Sequence, residues 1–145
     1  MTSFKLSIAT EAESDATAAE IERKLLTSLA QTNAQSRNES FVLKSTSDTG
    51  QLLGGLTASS SYGWLLIKTL WVDDLFQRTG LGSRLVAAAE QKGRELGCFN
   101  VWLDTSSPPA HAFYLKLGYH DFGMLENGPD QPPAEHRRWF MRKPL

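Results

Sequence analysis

The chain has 145 residues, 41% of them hydrophobic, and a formal net charge of −1. This length and composition predict one domain with its own hydrophobic core over residues 1–145. The near-zero charge argues against nucleic acid or an anionic membrane as a partner, and no apolar run approaches the roughly 20 residues that span a bilayer. The single cysteine, Cys98, allows no internal disulfide, and residues 1–9 lack the features of a signal peptide, so we expect a cytoplasmic protein.

The first predicted elements are a strand and a helix. Apolar and polar residues alternate over residues 4–9, which predicts a strand. Thr10 and Glu13 have the spacing of a capping box, in which each side chain satisfies the free backbone N–H of the other at a helix start. The apolar residues of the following helix form one stripe at helical spacing: Ala18, Ile21, Leu25 and Leu29.

Three strands are predicted after a polar loop. Residues 40–45 and 51–60 should form a hairpin, because the sequence Asp-Thr-Gly at residues 48–50 is typical of tight turns. Residues 64–72 are almost wholly apolar, a pattern typical of a central strand that is buried on both faces.

The rest of the chain alternates helices and strands. The predicted elements are a helix over residues 83–96, a strand over 99–103, a helix over 108–117, and strands over 119–125 and 138–142. The complete predicted order is β-α-β-β-β-α-β-α-β-β. This order indicates the α/β class, with helices packed around one mixed sheet.

A pair of glycines stands where the strand at residues 64–72 gives way to a helix. Gly80 and Gly82 let the backbone approach a ligand without Cβ atoms in the way. The N-terminus of a helix presents unpaired N–H groups and a partial positive charge, and Arg78 adds a cation beside it. Together these features predict a phosphate-binding turn.

Three other interpretations of this turn can be compared with the sequence. The glycines can serve only to shape a tight connection. A Walker A loop requires a lysine after its second glycine, and that lysine is absent here. A dinucleotide fingerprint requires a third glycine where this chain has Leu85, although Asp104 stands near the position of its ribose-binding acid. Only one β-α-β unit is predicted, and the hairpin before it disfavours the dinucleotide fold.

Two motifs, in order along the chain, resemble those of the GNAT superfamily of N-acetyltransferases. The cofactor motif of that family is Gln/Arg-x-x-Gly-x-Gly/Ala, and residues 77–82 read Gln-Arg-Thr-Gly-Leu-Gly. Its second motif combines an alanine, an aromatic-Tyr pair and a Gly-aromatic pair, and residues 110–119 match it as Ala-His-Ala-Phe-Tyr-Leu-Lys-Leu-Gly-Tyr. One helix and one strand separate the two motifs, as in the family. The chain looks closest to small bacterial single-domain members.

The resemblance implies a GNAT-like, mostly antiparallel central sheet flanked by helices, and acetyl-CoA as cosubstrate without a metal. The pantetheine arm is implied to pair with the strand end at residues 70–72, and the pyrophosphate to lie on the amides of the glycine turn. Tyr114 is the implied general acid, which protonates the leaving thiolate. The implied cofactor-binding residues are Leu70, Trp71, Val72, Gln77, Arg78, Thr79, Gly80, Leu81, Gly82, Ser83, Ser107 and Tyr114.

The implied reaction is transfer of an acetyl group to a primary amine, by direct attack in a ternary complex. The sequence does not say whether the acceptor is a small molecule or a peptide. Ser107 replaces an asparagine that contacts pantetheine in many members, and the place where many members have a glutamate is near Leu66. Asp73, Asp74 and Tyr62 are close to this position in sequence, but none is assigned as the general base. A non-catalytic acyl-CoA-binding or regulatory module on the same fold is therefore the alternative function.

Other reactive side chains have simpler expected roles. Cys98 is expected in the core as a small apolar residue. His111 shares a helix face with Tyr114, so it can reach the cofactor sulfur, but a partly exposed histidine is the expectation. His120 and His136 have no partner at metal-ligand spacing.

The C-terminal strand is basic and aromatic. Its charged residues are expected on a solvated edge strand, where charge protects against aggregation: Arg137, Arg138, Arg142 and Lys143. Trp139 and Phe140 suggest that late strands pair across a two-fold axis in a homodimer. Trp64, Trp71 and Trp139 are expected in the core, with the lining of an acceptor pocket as the other possibility.

Overall fold

A computed structural model describes residues 3–145, and these divide into two compact units, one that ends at Gln35 and one over Ser36–Leu145. The first unit contains helix α1 (Glu11–Thr32), which confirms the predicted N-terminal helix. Two acidic residues, Glu11 and Glu13, lie in the first turn of α1, where they complement the positive end of the helix dipole.

The predicted strand at residues 4–9 is wrong. This segment has no regular secondary structure, and its apolar side chains are exposed, up to 97% for Ile8. Alternation supplies the side-chain pattern of a strand, but a strand also needs a neighbour for its backbone hydrogen bonds. The capping box is also wrong, because the Thr10 side chain makes no capping hydrogen bond, and only its carbonyl accepts from the Glu13 amide, at 3.1 Å.

The second unit is built on a six-stranded sheet with the order β1-β2-β3-β4-β6-β5. The strands are β1 (Glu39–Thr46), β2 (Leu52–Ser61), β3 (Trp64–Val72), β4 (Asn100–Thr105), β5 (His120–Glu126) and β6 (Arg137–Pro144). The helices are α2 (Leu81–Glu95) and α3 (Pro108–Lys116), and a short 3-10 helix covers Asp74–Phe76. Every strand pair is antiparallel except β3–β4, which confirms the predicted mixed α/β class.

The core of this unit lies on one face of the sheet, where α2 and α3 pack; we call this face the helix side. Leu65, Val101 and Leu103 point to the helix side and are fully buried. The residues that alternate with them belong to the opposite face, which we call the open side, since no helix of residues 36–145 covers it. The prediction that β3 is buried on both faces is therefore wrong, and Trp71 is 50% exposed.

The parallel pair β3–β4 separates part of the way along its length. The pairing covers residues 64–66 and 100–102, and beyond it β3 runs on to Val72 and β4 to Thr105. On its other edge, β3 carries a bulge, because Thr69 pairs with Thr57 and Ile67 pairs with Ala58, which leaves Lys68 without a partner in the ladder. A bulge bends its strand, so this one accounts for the gap that opens between β3 and β4.

The basic C-terminal strand is not an edge strand, which corrects the prediction. β6 lies between β4 and β5, so its backbone cannot pair with a second copy as predicted for the strand of Trp139 and Phe140. Its charged residues contact other groups of the same unit, although Arg137, Arg138 and Arg142 are exposed to solvent as predicted. Arg137 binds Glu126 at 3.0 Å, Arg138 binds Asp104 at 2.7 Å, Lys143 binds Glu90 at 2.9 Å, and Arg142 lies 5.6 Å from the ring centre of Phe122.

A buried polar network joins α2 to the sheet. The Tyr119 hydroxyl donates to Glu90 Oε2 at 3.0 Å, and the Lys143 ammonium lies 2.9 Å from the same oxygen and donates to Oε1 at 3.3 Å. Burial, together with the negative charge of Glu90, raises the pKa of Tyr119 far above its usual range. The phenol therefore stays protonated and keeps its hydrogen bond at neutral pH.

Replacing Glu90 by alanine should destabilise the protein. Glu90→Ala leaves the Tyr119 hydroxyl and the Lys143 ammonium without their partner, and removal of one member of a buried ion pair costs about 3 kcal/mol. Glu95→Ala on the same helix is the matched control, because its partner Lys92 is exposed at 3.8 Å and such pairs contribute at most about 1 kcal/mol. Thermal unfolding of the two variants measures the difference, and equal melting temperatures contradict this role of Glu90.

Candidate functional site

The connection from β3 to α2 is held in shape by its own polar residues. Asp73 Oδ1 accepts a hydrogen bond from the Leu75 amide at 2.9 Å, which caps the short 3-10 helix. The Gln77 side-chain amide donates to Asp74 at 3.1 Å and to the Val72 carbonyl at 3.4 Å. Asp73 and Asp74 thus stabilise the connection.

The glycine turn itself has an unusual backbone. Arg78 and Gly80 both have left-handed conformations, with φ of 62° and 87°. Gly80 precedes α2, and the first intrahelical bond runs from the Arg84 amide to the Gly80 carbonyl at 3.0 Å. The amides of the first turn, at residues 81–83, therefore have no helical carbonyl to bind and can bind an anion.

A cavity of about 490 Å³ lies against this turn, and we call it the turn cavity. It is lined by Leu70, Val72, Phe76, Gln77, Arg78, Gly80, Gly82, Ser83, Pro109, Ala110 and Phe113. Seven of the residues that sequence reasoning assigned to the cofactor are in this lining. Of the others, Trp71 belongs to the open side, Leu81 packs on the core, and the Thr79 hydroxyl donates to the Phe76 carbonyl.

A second cavity, of about 420 Å³, occupies the gap between β3 and β4, and we call it the gap cavity. It is lined by Ile67, Lys68, Thr69, Leu70, Leu103, Asp104, Thr105, Ser107, Ala110, Phe113 and Tyr114. The two cavities share Leu70, Ala110 and Phe113. The glycine turn and Tyr114, which lie far apart in sequence, are thus the two ends of adjoining cavities.

Tyr114 is buried and packed between aromatic rings at the helix side of the gap cavity. Its side chain is 5% exposed, and its ring packs edge-on against Phe113 and Tyr119, with centroids 5.1 and 5.4 Å away. Burial raises the pKa of Tyr114 to about 12. The phenol therefore keeps its proton at neutral pH and can donate it to a group in the cavity.

Ser107 serves the helix that carries Tyr114. Its hydroxyl accepts a hydrogen bond from the Ala110 amide at 3.3 Å and so caps the start of α3, where Pro108 and Pro109 occupy the first turn as predicted. Ser107 also lines the gap cavity, so the predicted contact with a ligand is compatible with its place in the fold.

His111 lies on a different side of α3 from the gap cavity. Its ring stacks on Trp139 with centroids 4.3 Å apart, and its Nε2 lies 2.8 Å from Asp121 Oδ1. It does not contribute to the lining of the gap cavity. Tyr62 does not line the gap cavity either. It lies in the tight turn between β2 and β3, where it has a left-handed φ of 51°.

Sequence reasoning missed Asp104 as a residue of this site. Asp104 is at the end of β4, lines the gap cavity, and accepts a hydrogen bond from Arg138 at 2.7 Å. One signal was available, because an acidic residue at the carboxyl end of a strand lies beside the carboxyl end of its parallel neighbour. The partner, Arg138, comes from a strand whose place in the sheet the sequence did not indicate.

A larger cavity, of about 970 Å³, lies elsewhere, along the loop between β5 and β6. It contains none of the predicted cofactor residues, and its size alone gives it no chemistry. Within residues 3–145, no three His, Cys, Asp or Glu side chains are grouped as metal ligands. In the same part of the chain, no helix has the length and apolar character needed to cross a membrane.

Three features together are typical of acyltransferases. They are the glycine turn, the separated parallel strands and the second motif with its tyrosine. A sequence profile of the acetyltransferase (GNAT) family matches residues 6–119, and the chain belongs to this family.

Three relatives illustrate the similarity. The chain is 40% identical over 86 residues to a blasticidin-S acetyltransferase of Streptomyces morookaense. The aligned segment covers 59% of this chain and 61% of that protein. It is 32% identical over 78 residues to an acetyltransferase of Agrobacterium fabrum, and this alignment covers 54% of this chain and 57% of that protein. The chain thus matches less than two thirds of the length of these curated relatives. A crystal structure of an acetyltransferase from Bacillus cereus superposes with a TM-score of 0.83 at 28% identity, over 98% of both chains.

A branched side chain at Gly82 should block ligand binding at the turn. A Cβ atom there meets the Phe113 ring at 3.4 Å and Val72 Cγ2 at 3.8 Å, both ordinary contacts, so the fold can accept it. The methyl groups of Gly82→Val must then extend into the turn cavity, and we expect the affinity for CoA to fall by at least about tenfold, which is 1.4 kcal/mol. Calorimetric titration with CoA measures this.

The control for Gly82→Val is Gly123→Val in β5. A Cβ atom at Gly123 also makes ordinary contacts, at 3.8 Å from Phe140, and the residue lines neither cavity. Unchanged CoA affinity in a folded Gly82→Val protein contradicts the turn as the binding site.

Proposed function

We propose that this chain is an acetyl-CoA-dependent N-acetyltransferase that moves an acetyl group to a primary amine by direct attack in a ternary complex. The observation that carries the proposal is the junction of the turn cavity and the gap cavity at Leu70, Ala110 and Phe113, which connects an anion-binding turn to a buried proton donor. Membership of the acetyltransferase (GNAT) family supports it. In this proposal residues 1–145 act as one N-acetyltransferase domain in the cytoplasm.

The described residues suit the parts of CoA. The amides at residues 81–83 and the Arg78 side chain suit the pyrophosphate, because both offer positive charge and donors at the turn cavity. The pantetheine arm has two amides, and β3 beyond Leu66 presents backbone groups that β4 does not pair. Pantetheine laid along residues 70–72 brings the thioester to the gap cavity, where Tyr114 lies.

The proposed reaction forms one bond and breaks one. The neutral amine nitrogen attacks the thioester carbonyl carbon, a C–N bond forms, and the C–S bond breaks with its electron pair going to sulfur. Tyr114 donates its proton to that thiolate, and a proton from the attacking nitrogen restores the phenol through solvent. Burial raises the pKa of Tyr114, so the phenol is protonated at neutral pH and its proton is present when the C–S bond breaks.

The acceptor is proposed as a primary amine of a small molecule or a peptide. A relative that shares 40% identity over part of its length is named for blasticidin S, so that antibiotic belongs in the first set of acceptors tested. A panel of blasticidin S, nourseothricin and a tripeptide with a free N-terminus, assayed by release of the CoA thiol, tests the proposal. Tight binding of acetyl-CoA without thiol release for any amine favours the non-catalytic module instead.

Removing the Tyr114 hydroxyl should slow the chemical step. Tyr114→Phe keeps the buried ring and loses only the proton donor, so kcat should fall by about 10²–10⁴-fold, the usual contribution of one acid–base group. The affinity for acetyl-CoA should change little, since the packing is preserved. Tyr62→Phe, in an exposed turn, is the matched control. Steady-state kinetics that give a normal kcat for Tyr114→Phe would exclude this tyrosine as the acid.

We also propose a homodimer, formed through β5. Among the late strands β5 is the one at an edge of the sheet, and it exposes Phe122, Met124 and Leu125. Because β6 is interior, β5 offers the unpaired backbone that a second copy can bind across a two-fold axis. Light scattering should give twice the monomer mass for the wild type and the monomer mass for Leu125→Lys. A wild type that stays monomeric at high concentration contradicts the proposal.

A further inference from the structure

The gap cavity extends between the two sides of the sheet. Leu103 belongs to the helix side with Tyr114, and both are in the buried core. Asp104, the next residue on β4, alternates with Leu103 and belongs to the open side, yet it lines the same cavity. A thioester approached by Tyr114 from the helix side can therefore be approached by a second group from the side of Asp104.

Asp104 supplies the one carboxylate among the described residues that line the gap cavity, and Lys68 supplies the one ammonium. Arg138 binds Asp104 Oδ1 at 2.7 Å, while Oδ2 makes no hydrogen bond within residues 3–145. Arg138 thus fixes the orientation of the carboxylate and leaves its second oxygen able to accept. The remaining polar side chains of the lining, at Thr69, Thr105, Ser107 and Tyr114, carry neutral hydroxyls.

We propose that Asp104 is the residue that binds the attacking amine of the acceptor through Oδ2 and accepts its proton, with Arg138 as its positioning residue. This inference rests on the proposed acetyl transfer and names a group for the step that the sequence left unassigned. The place that holds a glutamate in many members of the family is near Leu66 here, and a leucine side chain cannot accept a proton.

The protons balance in two steps. An acceptor that arrives as R–NH3+ gives one proton to Asp104, which passes it to water, and the neutral R–NH2 then attacks the carbonyl carbon. The nitrogen loses its second proton as the C–N bond becomes an amide, and that proton replaces the one that Tyr114 gives to sulfur. The products are R–NH–acetyl, CoA-SH and one proton in solution.

The positive charges around Asp104 favour the neutral amine. Lys68 lines the cavity and Arg138 lies on the adjacent strand, and like charges nearby disfavour the ammonium form of a bound acceptor. Asp104 offsets part of this charge and provides the acceptor for the departing proton. Without its negative charge, the site should bind and activate an amine only when solution already supplies the neutral form.

Asp104→Asn tests the proposal, since it keeps the side-chain shape and an oxygen for Arg138. At pH 7, kcat/KM for blasticidin S, nourseothricin and the tripeptide should fall by about 10²-fold for whichever of them the wild type acetylates. The deficit should shrink as the pH rises toward the pKa of the amine, because the neutral amine then no longer depends on Asp104. Calorimetry should show unchanged affinity for acetyl-CoA and weaker binding of the same amine to the CoA complex.

Glu39→Gln is the matched control. Glu39 also binds an arginine, Arg37, at 2.7 Å, but it is on edge strand β1, outside both cavities. Its kinetics should equal those of the wild type. Arg138→Met should lower kcat/KM by less than Asp104→Asn and leave acetyl-CoA affinity unchanged.

The outcomes separate this inference from the proposed function. If the wild type acetylates an amine and Asp104→Asn keeps its kcat/KM, the assignment of Asp104 is wrong and the function stands. If the deficit of Asp104→Asn is the same at every pH, the residue is structural and the assignment is again wrong. A wild type that binds acetyl-CoA and acetylates none of the three amines overturns both.

Discussion

Parallel strands β3 and β4 keep their hydrogen bonds only over residues 64–66 and 100–102, and the chemistry proposed here takes place in the space that their separation leaves. The bulge at Lys68 bends β3 away, so its later residues present backbone groups to a ligand while its other edge stays paired with β2. The same separation brings Tyr114 and Asp104 to one cavity from opposite sides of a sheet. A continuous sheet would bury the strand edge and keep the two side chains apart.

The glycine turn depends on this geometry as much as on its own sequence. Its position is set by the end of β3, and its direction by α2, which the Glu90, Tyr119 and Lys143 network joins to the sheet. Left-handed conformations at Arg78 and Gly80 orient the backbone between them. An anion site of this kind consists mostly of backbone amides. Its geometry is therefore maintained by the packing of the strand and the helix on either side of the turn.

Local patterns in the sequence predicted the elements of residues 36–145 well. β3, the glycine turn and α2 were placed within two residues at their boundaries, because hydrophobic period and glycine position agree there. The segment at residues 4–9 failed, since alternation says nothing of a pairing partner. The prediction that β6 is an edge strand failed for a related reason. Whether a strand is interior depends on the strand order, which is set by contacts between distant parts of the chain. In the sequence, four basic residues on an edge strand look the same as four that bind partners on an interior strand. Asp104 was not predicted as a site residue, because its role comes from a cavity that strand β3 and helix α3 complete.

The order of the strands also has a consequence for how the chain folds. β6 follows β5 along the chain but lies between β4 and β5 in the sheet. β5 therefore has no strand to pair with until β6 has been synthesised. Until then, the edge of β4 that pairs with β6 also has no partner. Such delayed, non-local pairing slows folding and exposes strand edges to other chains. During synthesis the helix with Tyr114 is thus produced before the strand pair that completes the sheet beneath it.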